Sequence, residues 1–349
     1  MNRIIRHTLC GIFLFAAVEA GASPVNNNDS VDYYLQKGLV EKQNGRRLES
    51  LKHFEKAIKF DSNSKPVITE LASAYYDLRR YPQSREFYLK LVNMGETSAE
   101  NYRQVVQLSF NLRQFDDVIL YADKWKKVDP AAQTSFYLGK IHYDRENYGE
   151  AIRMLNQAVK EEPTNAEAPY MIARSYADMM NYKQSIPFFQ KAIELDPKKN
   201  YWIYEMALVY YAMNDDKNAL KYMLEAGEKG YKRDNDYLEN LGIAYLNVGK
   251  LDEGVAIMKE VLVRRPTDMN ILNMVAEAYY YKGKFDKAIE YWDQMLAVDK
   301  TNASPLYMIG MAYQKKGEKE KGQRLCDKAI EMDPSLASLK QKKQLMPGL

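Results

Sequence analysis

From Val31 onward, apolar positions fall into alternating stripes separated by short breaks. Leu272, Val275, Ala276 and Tyr279 stand at i, i+3, i+4 and i+7, one face of an α-helix. Gly283 interrupts the stripe, and Phe285, Ala288, Ile289 and Trp292 then make a second one. The unit predicted is two helices and a turn. It recurs along the chain. A small residue at Gly38, Ala72, Gly139, Ala173, Ala207, Gly242, Ala276 and Gly310, with Val106 in the third slot, gives successive spacings of 34, 34, 33, 34, 34, 35, 34 and 34 residues, hence nine copies.

The pattern has a packing logic. Small residues at Ala276 and Ala288 let two helix backbones approach, and a larger side chain there would overpack the contact by about 1–3 kcal/mol. Tyr279 then fills the space between helices, and a proline after the second helix ends it because proline cannot continue the hydrogen-bond ladder. The tyrosine recurs at Tyr75, Tyr176, Tyr210, Tyr245, Tyr279 and Tyr313, and the proline at Pro130, Pro163, Pro197, Pro266 and Pro334.

These residues resemble the tetratricopeptide repeat. The best copies are "YLENLGIAYLNVGKLDEGVAIMKEVLVRRP" (237–266) and "APYMIARSYADMMNYKQSIPFFQKAIELDP" (168–197). The resemblance implies an all-α fold, a right-handed α-solenoid of tandem helix-turn-helix repeats over 31–334, with residues 335–349 supplying a C-terminal capping helix and tail. The first copy has Glu41 in place of the tyrosine and Arg47 and Ser50 in its second helix, as a polar terminal cap requires. The third has Val106, Ser109, Val118 and Trp125 at normally small or tyrosine positions, so its packing must be adjusted. Residues 225–236, "EAGEKGYKRDND", contain two glycines, one extra residue and no proline, and are expected to form a softer joint.

The resemblance also places first helices on the concave wall. Adjacent helical residues are about 100° apart. Of the neighbours Tyr279, Tyr280 and Tyr281, the first is therefore expected in the packing, the second in the groove with Asn273 and Glu277, and the third at its rim. The groove stripe is then Arg103, Gln107 and Phe110; Phe136, Lys140 and Tyr143; Tyr170 and Arg174; Tyr204 and Tyr211; and Tyr280. Aromatics with two cations between them suit an extended peptide, the cations pairing with its carboxylates. Tyrosine is also common in these slots across the family, so family background is the alternative. Some relatives clamp chaperone tails with a lysine and then an asparagine in the first copy; Leu35 and Leu39 stand there, and that ligand is not expected.

Composition narrows the function classes. Fifty Lys and Arg balance 47 Asp and Glu, interspersed, which leaves no nucleic-acid footprint. Arg3, Arg6 and His7 precede an apolar run, Thr8–Val18, and Ala20-Gly21-Ala22 suits a signal peptidase. A signal peptide over 1–22 and a flexible tether over 23–30 are expected, with export, most simply to a bacterial periplasm, though secretion or envelope association fits too. The run is shorter than the roughly 20 residues that span a bilayer. No integral span is expected after cleavage, the alternative being a retained anchor. Cys10 lacks a lipobox around it. Loss of 1–22 leaves a formal charge of +2 and one cysteine, Cys326, so no internal disulfide can form.

No enzyme is expected. Of the histidines, His142 takes the packing tyrosine's place and His53 lies on a second helix without Cys or His neighbours, so neither a metal nor a small-molecule cofactor is implied. The 17 methionines scatter over apolar faces as adaptable filler. Apart from the repeats only the tether and 15 C-terminal residues remain. The expectation is an exported scaffold or adaptor for a protein or extended peptide. Two narrower roles fit equally: a subunit of an envelope secretion or outer-membrane assembly machine, or an accessory that recruits a separate cell-wall or glycan enzyme. If the signal is cleaved, N-terminal sequencing of the exported protein will begin at Ser23; recovery of Met1 or Asn2 in membranes would show the apolar run retained as an anchor.

Overall fold

A computed structural model describes residues 27–338. Among them are eighteen α-helices, one 3-10 turn and no strand. They divide into two compact units, one ending at Thr134 and the other beginning at Ser135.

In the first unit, α1 (Asn27–Gln43), α2 (Arg47–Phe60), α3 (Lys65–Asp77), α4 (Tyr81–Asn93), α5 (Ala99–Asn111) and α6 (Phe115–Val128) pack each on the next. The helix α1 starts inside the segment expected as tether, so residues 27–30 are helical instead. The signal segment 1–22 and residues 23–26 lie outside the described residues. Ser50, expected as part of a polar cap, is instead buried. It occupies the slot that Ser84, Ser185 and Ala288 fill in other copies, small in every copy but the third, which has Val118.

The irregular third copy shows how its packing is adjusted. Val106 is larger than the usual small residue, and sixteen residues on, where other copies carry Phe54, Leu155, Phe189 or Trp292, stands Ala122; both are buried. Volume is exchanged across the pair. Ser109 replaces the tyrosine, and Arg85 from α4 occupies that region, its Nε donating to Ser109 Oγ at 2.8 Å and its guanidinium paired with Asp117.

The second unit begins with α7 (Ser135–Asp144), α8 (Tyr148–Glu161), α9 (Glu167–Asp178), α10 (Tyr182–Leu195), α11 (Asn200–Ala212) and α12 (Asp216–Glu228). It continues with α13 (Asn235–Asn247), α14 (Leu251–Arg264), α15 (Met269–Tyr281), α16 (Phe285–Val298), α17 (Ala303–Lys315) and α18 (Lys319–Met332). A 3-10 turn, Pro334–Leu336, then folds Leu336 onto Ala303, Tyr307, Cys326 and Ala329. Residues 339–349 of the expected capping segment lie outside the described residues.

Three features repeat from copy to copy. Every turn inside a helix pair holds one residue at positive φ, either glycine (Gly45, Gly249, Gly283, Gly317) or Arg79, Arg113, Glu146, Met180 and Asn214 at 57–59°. The N–H after it closes the helix by donating to the carbonyl five residues back, as Arg80 does to Tyr75 and Lys284 to Tyr279, at 2.8 and 2.9 Å. Second, the packing tyrosine stacks on an aromatic twelve residues later: Tyr75 on Phe87, Tyr176 on Phe188, Tyr210 on Tyr222 and Tyr279 on Tyr291, with centroids 5.3–5.8 Å apart. Each such pair contributes about 0.5–1.5 kcal/mol beyond its buried area. Third, ion pairs such as Lys140–Glu167 and Lys42–Glu70 join neighbouring repeats at 2.7 Å. Exposed pairs of this kind are worth about 0–1 kcal/mol each, so apolar burial carries the stacking.

Residues 225–236, where the softer joint is expected, are built around Tyr237, which is buried and donates its hydroxyl to Met223 O at 3.0 Å. Gly230 turns the chain at φ 87°, Tyr231 stacks on Tyr204 at 4.4 Å, and Asp234 caps α13 by accepting from Tyr237 N. A Cβ at Gly227 would lie 2.3 Å from the Tyr237 hydroxyl. Gly227→Ala will therefore destabilise the chain by about 1–3 kcal/mol in urea denaturation, although alanine favours a helix by about 1 kcal/mol over glycine. The penalty should shrink in a Tyr237→Phe background, which lacks the obstructing oxygen. A neutral or stabilising Gly227→Ala in the parent chain would refute this packing.

Candidate functional site

The first helices of the second unit carry the densest set of polar and aromatic side chains. On α7, Phe136, Lys140 and Tyr143 share one face, with the Lys140 ammonium 5.3 Å from the Phe136 ring. Lys140 pairs with Glu167 at the start of α9, and the Tyr143 hydroxyl donates to Asp178 Oδ2 at 2.6 Å at that helix's end. Arg174, midway along α9, lies between two rings, 5.3 Å from Tyr143 and 6.0 Å from Tyr170. On α11, Glu205 sits in the field of Tyr170, Arg174 and Asp178. Three successive first helices are thus joined by one network.

Its central charges are poorly hydrated. Burial raises the Glu205 carboxyl above its ordinary 4.5, outweighing the Tyr170 hydroxyl and the Arg174 charge, which lower it; Asp178 adds to the rise. Glu205 Oε2 is buried and without a hydrogen-bond partner. The Tyr143 and Tyr170 phenols are raised by burial and by their carboxylate partners.

Several expected groove residues have other duties. Tyr170 is 6% exposed and Tyr204 7%, so neither is free to meet a ligand. Each is covered by aromatics from the next repeat. Tyr170 stacks on Trp202 at 4.7 Å, while Tyr204 clusters with Tyr231 and Tyr237 and its hydroxyl accepts from Asn240. Helical phase places both correctly on the first-helix face, but near the helix N-terminus that face is roofed by the following repeat. Tyr280 is half-buried, edge-on to Phe285 at 5.4 Å and 5.9 Å from Trp292, while Tyr279 is packed and Tyr281 is 71% exposed. Of the unit's expected aromatics Tyr211, at 39%, is the most exposed. Arg174 and Lys140, expected to await a ligand carboxylate, already face Glu205 and Glu167.

Arg103, Gln107 and Phe110 belong to the first unit. Arg103 forms a fork on Glu100 of its own helix at 2.7–2.8 Å, Gln107 is half-buried, and Phe110 lies 6.2 Å from Phe115. Glu205, Asp178 and Trp202 were not anticipated from sequence. A signal for Glu205 existed: it is the one charged residue in the thirteen of α11.

Among the described residues no group of three or more His, Cys, Asp or Glu is placed to hold a metal, and no helix is long and apolar enough to cross a membrane.

Paired helices that repeat every 33–35 residues and, within each unit, stack each on the next define an α-solenoid, the class built for protein interaction. The repeats are tetratricopeptide repeats and the chain is a tetratricopeptide-repeat protein: models of that repeat match residues 31–64, 276–317 and 303–336. A model described as anaphase-promoting complex, cyclosome, subunit 3, matches residues 111–192. Hsp70-Hsp90 organizing protein 1 of Glycine max is 22% identical over 141 residues, 38% of this chain and 25% of that protein. The chain thus spans about a quarter of that relative's length. Similar solved structures include YrrB, a TPR protein with an unusual peptide-binding site (21% identical, 54% of this chain, 97% of that chain, TM-score 0.46). They also include MamA (20%, 49%, 94%, 0.44) and Pseudomonas aeruginosa pilF (18%, 62%, 99%, 0.41).

The raised Glu205 carboxyl has a consequence for stability. The folded state holds this proton more tightly than the unfolded chain, so the group's contribution falls as pH rises from the ordinary carboxyl range through the raised value. Glu205→Gln will therefore be more stable than the parent at neutral pH, and the difference will close as pH drops below 4.5. Melting scans over pH check this; a Glu205→Gln protein less stable at pH 7 would mean that the Arg174–Glu205 attraction outweighs burial.

Proposed function

We propose that this chain is a non-enzymatic scaffold that binds a protein or extended peptide along the first helices of its second unit. The observation that carries the reading is the network of Tyr143, Arg174, Asp178 and Glu205 across α7, α9 and α11. It places partly desolvated charges among aromatics on the one face that neighbouring repeats share. Tyr143 and Tyr211 offer rigid contact area at low entropic cost, and the charges set register. The basic start, apolar run and small residues of the first 22 positions support export, with a bacterial periplasm as the simplest destination.

The test uses a photo-cross-linking amino acid at position 211 in the full chain, with position 183 on a second helix as control. Cross-links to one partner from 211 and none from 183 are expected. With that partner purified, Tyr211→Ala and Arg174→Ala should each weaken binding by about 1 kcal/mol or more. Tyr211→Ala should leave the melting temperature unchanged, whereas Tyr204→Ala, which opens the core, should cost about 3–5 kcal/mol of stability. Normal binding by both Tyr211→Ala and Arg174→Ala would move recognition off this face.

A further inference from the structure

Further along the same face, α13 and α15 leave an open apolar cleft of about 260 Å³ that the network does not use. Ile243, Leu246 and Leu251 form one wall and Met274, Ala278 and Tyr281 the other. Its volume is below the roughly 300–1,000 Å³ typical of small-molecule pockets, which suits a single large side chain rather than a cofactor. Tyr281 stands at the mouth, so the third tyrosine of the sequence is a wall of this cleft.

The surroundings fix the sign of what enters. Glu277 lines the cleft, its Oε1 accepting from Asn273 at 2.9 Å. Across α11, α13 and α15 the charged residues are Glu205, Asp236, Glu239 and Glu277, and these three helices contain no Lys or Arg. Glu239 is engaged by Arg265. In the turns next to Tyr281 and Leu251, Lys282 is paired with Asp252, and Lys250 lies over the Tyr245 ring. The wall is therefore acidic where it meets the apolar cleft. Of the three cations of the expected groove stripe, Arg103 belongs to the first unit, and Lys140 and Arg174 lie on α7 and α9, near carboxylates of their own.

We propose that this cleft takes one large apolar side chain of an extended peptide whose neighbouring residues are Lys or Arg, the basic side chain pairing with Glu277. This rests on the reading of the first-helix face as the binding face and reverses the charge that the sequence suggested for the ligand. The apolar anchor supplies affinity by burial, and the carboxylate rejects acidic segments by like-charge repulsion.

The test measures fluorescence anisotropy of labelled Gly/Ser decapeptides carrying Lys-Leu-Lys, Glu-Leu-Glu or Lys-Ala-Lys at the centre against the full chain. Lys-Leu-Lys should bind at least about 5-fold tighter than either other peptide, an interval that one ion pair or one apolar anchor supplies, and its lead over Glu-Leu-Glu should shrink as salt rises. Glu277→Lys should reverse the order of Lys-Leu-Lys and Glu-Leu-Glu, and Tyr281→Ala should weaken both leucine peptides; both side chains line the open cleft, and unchanged melting confirms intact variants. Equal binding of the three peptides, preference for Glu-Leu-Glu, no binding, or indifference to Glu277→Lys overturns the proposal. If that happens while position 211 still captures its partner, the binding-face reading stands and only the cleft assignment falls. If Lys-Leu-Lys binds as stated but position 211 captures nothing, the cleft assignment stands alone.

Discussion

The structure depends on one close approach, made within every repeat, between the first helix and a side chain of the second. At Gly38, Gly139, Gly242 and Gly310 the space a Cβ would need is already filled, by Phe54, Leu155, Met258 and Cys326 at 2.3–2.8 Å. Alanine serves where the opposing side chain can give way, and in the third copy a valine is matched by Ala122. With the two backbones held this near, the chain between them must reverse in few residues, and a left-handed residue does it. Five of the nine turns use a residue other than glycine there, which costs about 1–2 kcal/mol each. Helix-pair packing is strong enough to impose that conformation.

The same approach explains how aromatic side chains are distributed. Once the helices are fixed, the packing tyrosine meets a ring twelve residues later on the second helix, and the pair closes the repeat's flank. Where the tyrosine is missing the neighbourhood compensates, as Arg85 does beside Ser109. Compensation of this kind holds the second copy to the third although the third departs from the pattern. It also leaves a charged guanidinium partly buried, a state tolerated because Asp117 and a hydroxyl satisfy it.

In the second unit the first-helix face proposed for binding is a compromise between packing and exposure. Tyr170 and Tyr204 serve repeat stacking, Tyr211 and Tyr281 remain open, and Tyr143 is engaged by Asp178. Glu205 is the costly member, a carboxylate lowered into aromatic surroundings with one oxygen unpaired. Groups that reduce stability and are kept on a shared face fit a role in recognition rather than in folding.

Sequence by itself determined the repeat, its length, the phase of each helix and the identity of the packing residues, because an amphipathic stripe and its small-residue slots depend only on neighbours a few positions away. Tyr279, Gly283 and Ala288 could be assigned from "AEAYYYKGKFDKAIEYW" alone. Tertiary structure decided which members of the groove stripe are accessible. Phase puts Tyr170, Tyr204 and Tyr211 on one side of their helices, yet whether the following repeat roofs them depends on Trp202, Tyr231 and Tyr237 arriving from 27 to 33 residues away. It likewise decided the surroundings of Lys140 and Arg174, which read as free cations until Glu167 is paired with the first and Glu205 is placed near the second. Periodicity fixes direction around a helix; burial and charge pairing are set by what lies across the interface, and that partner is specified by no local pattern.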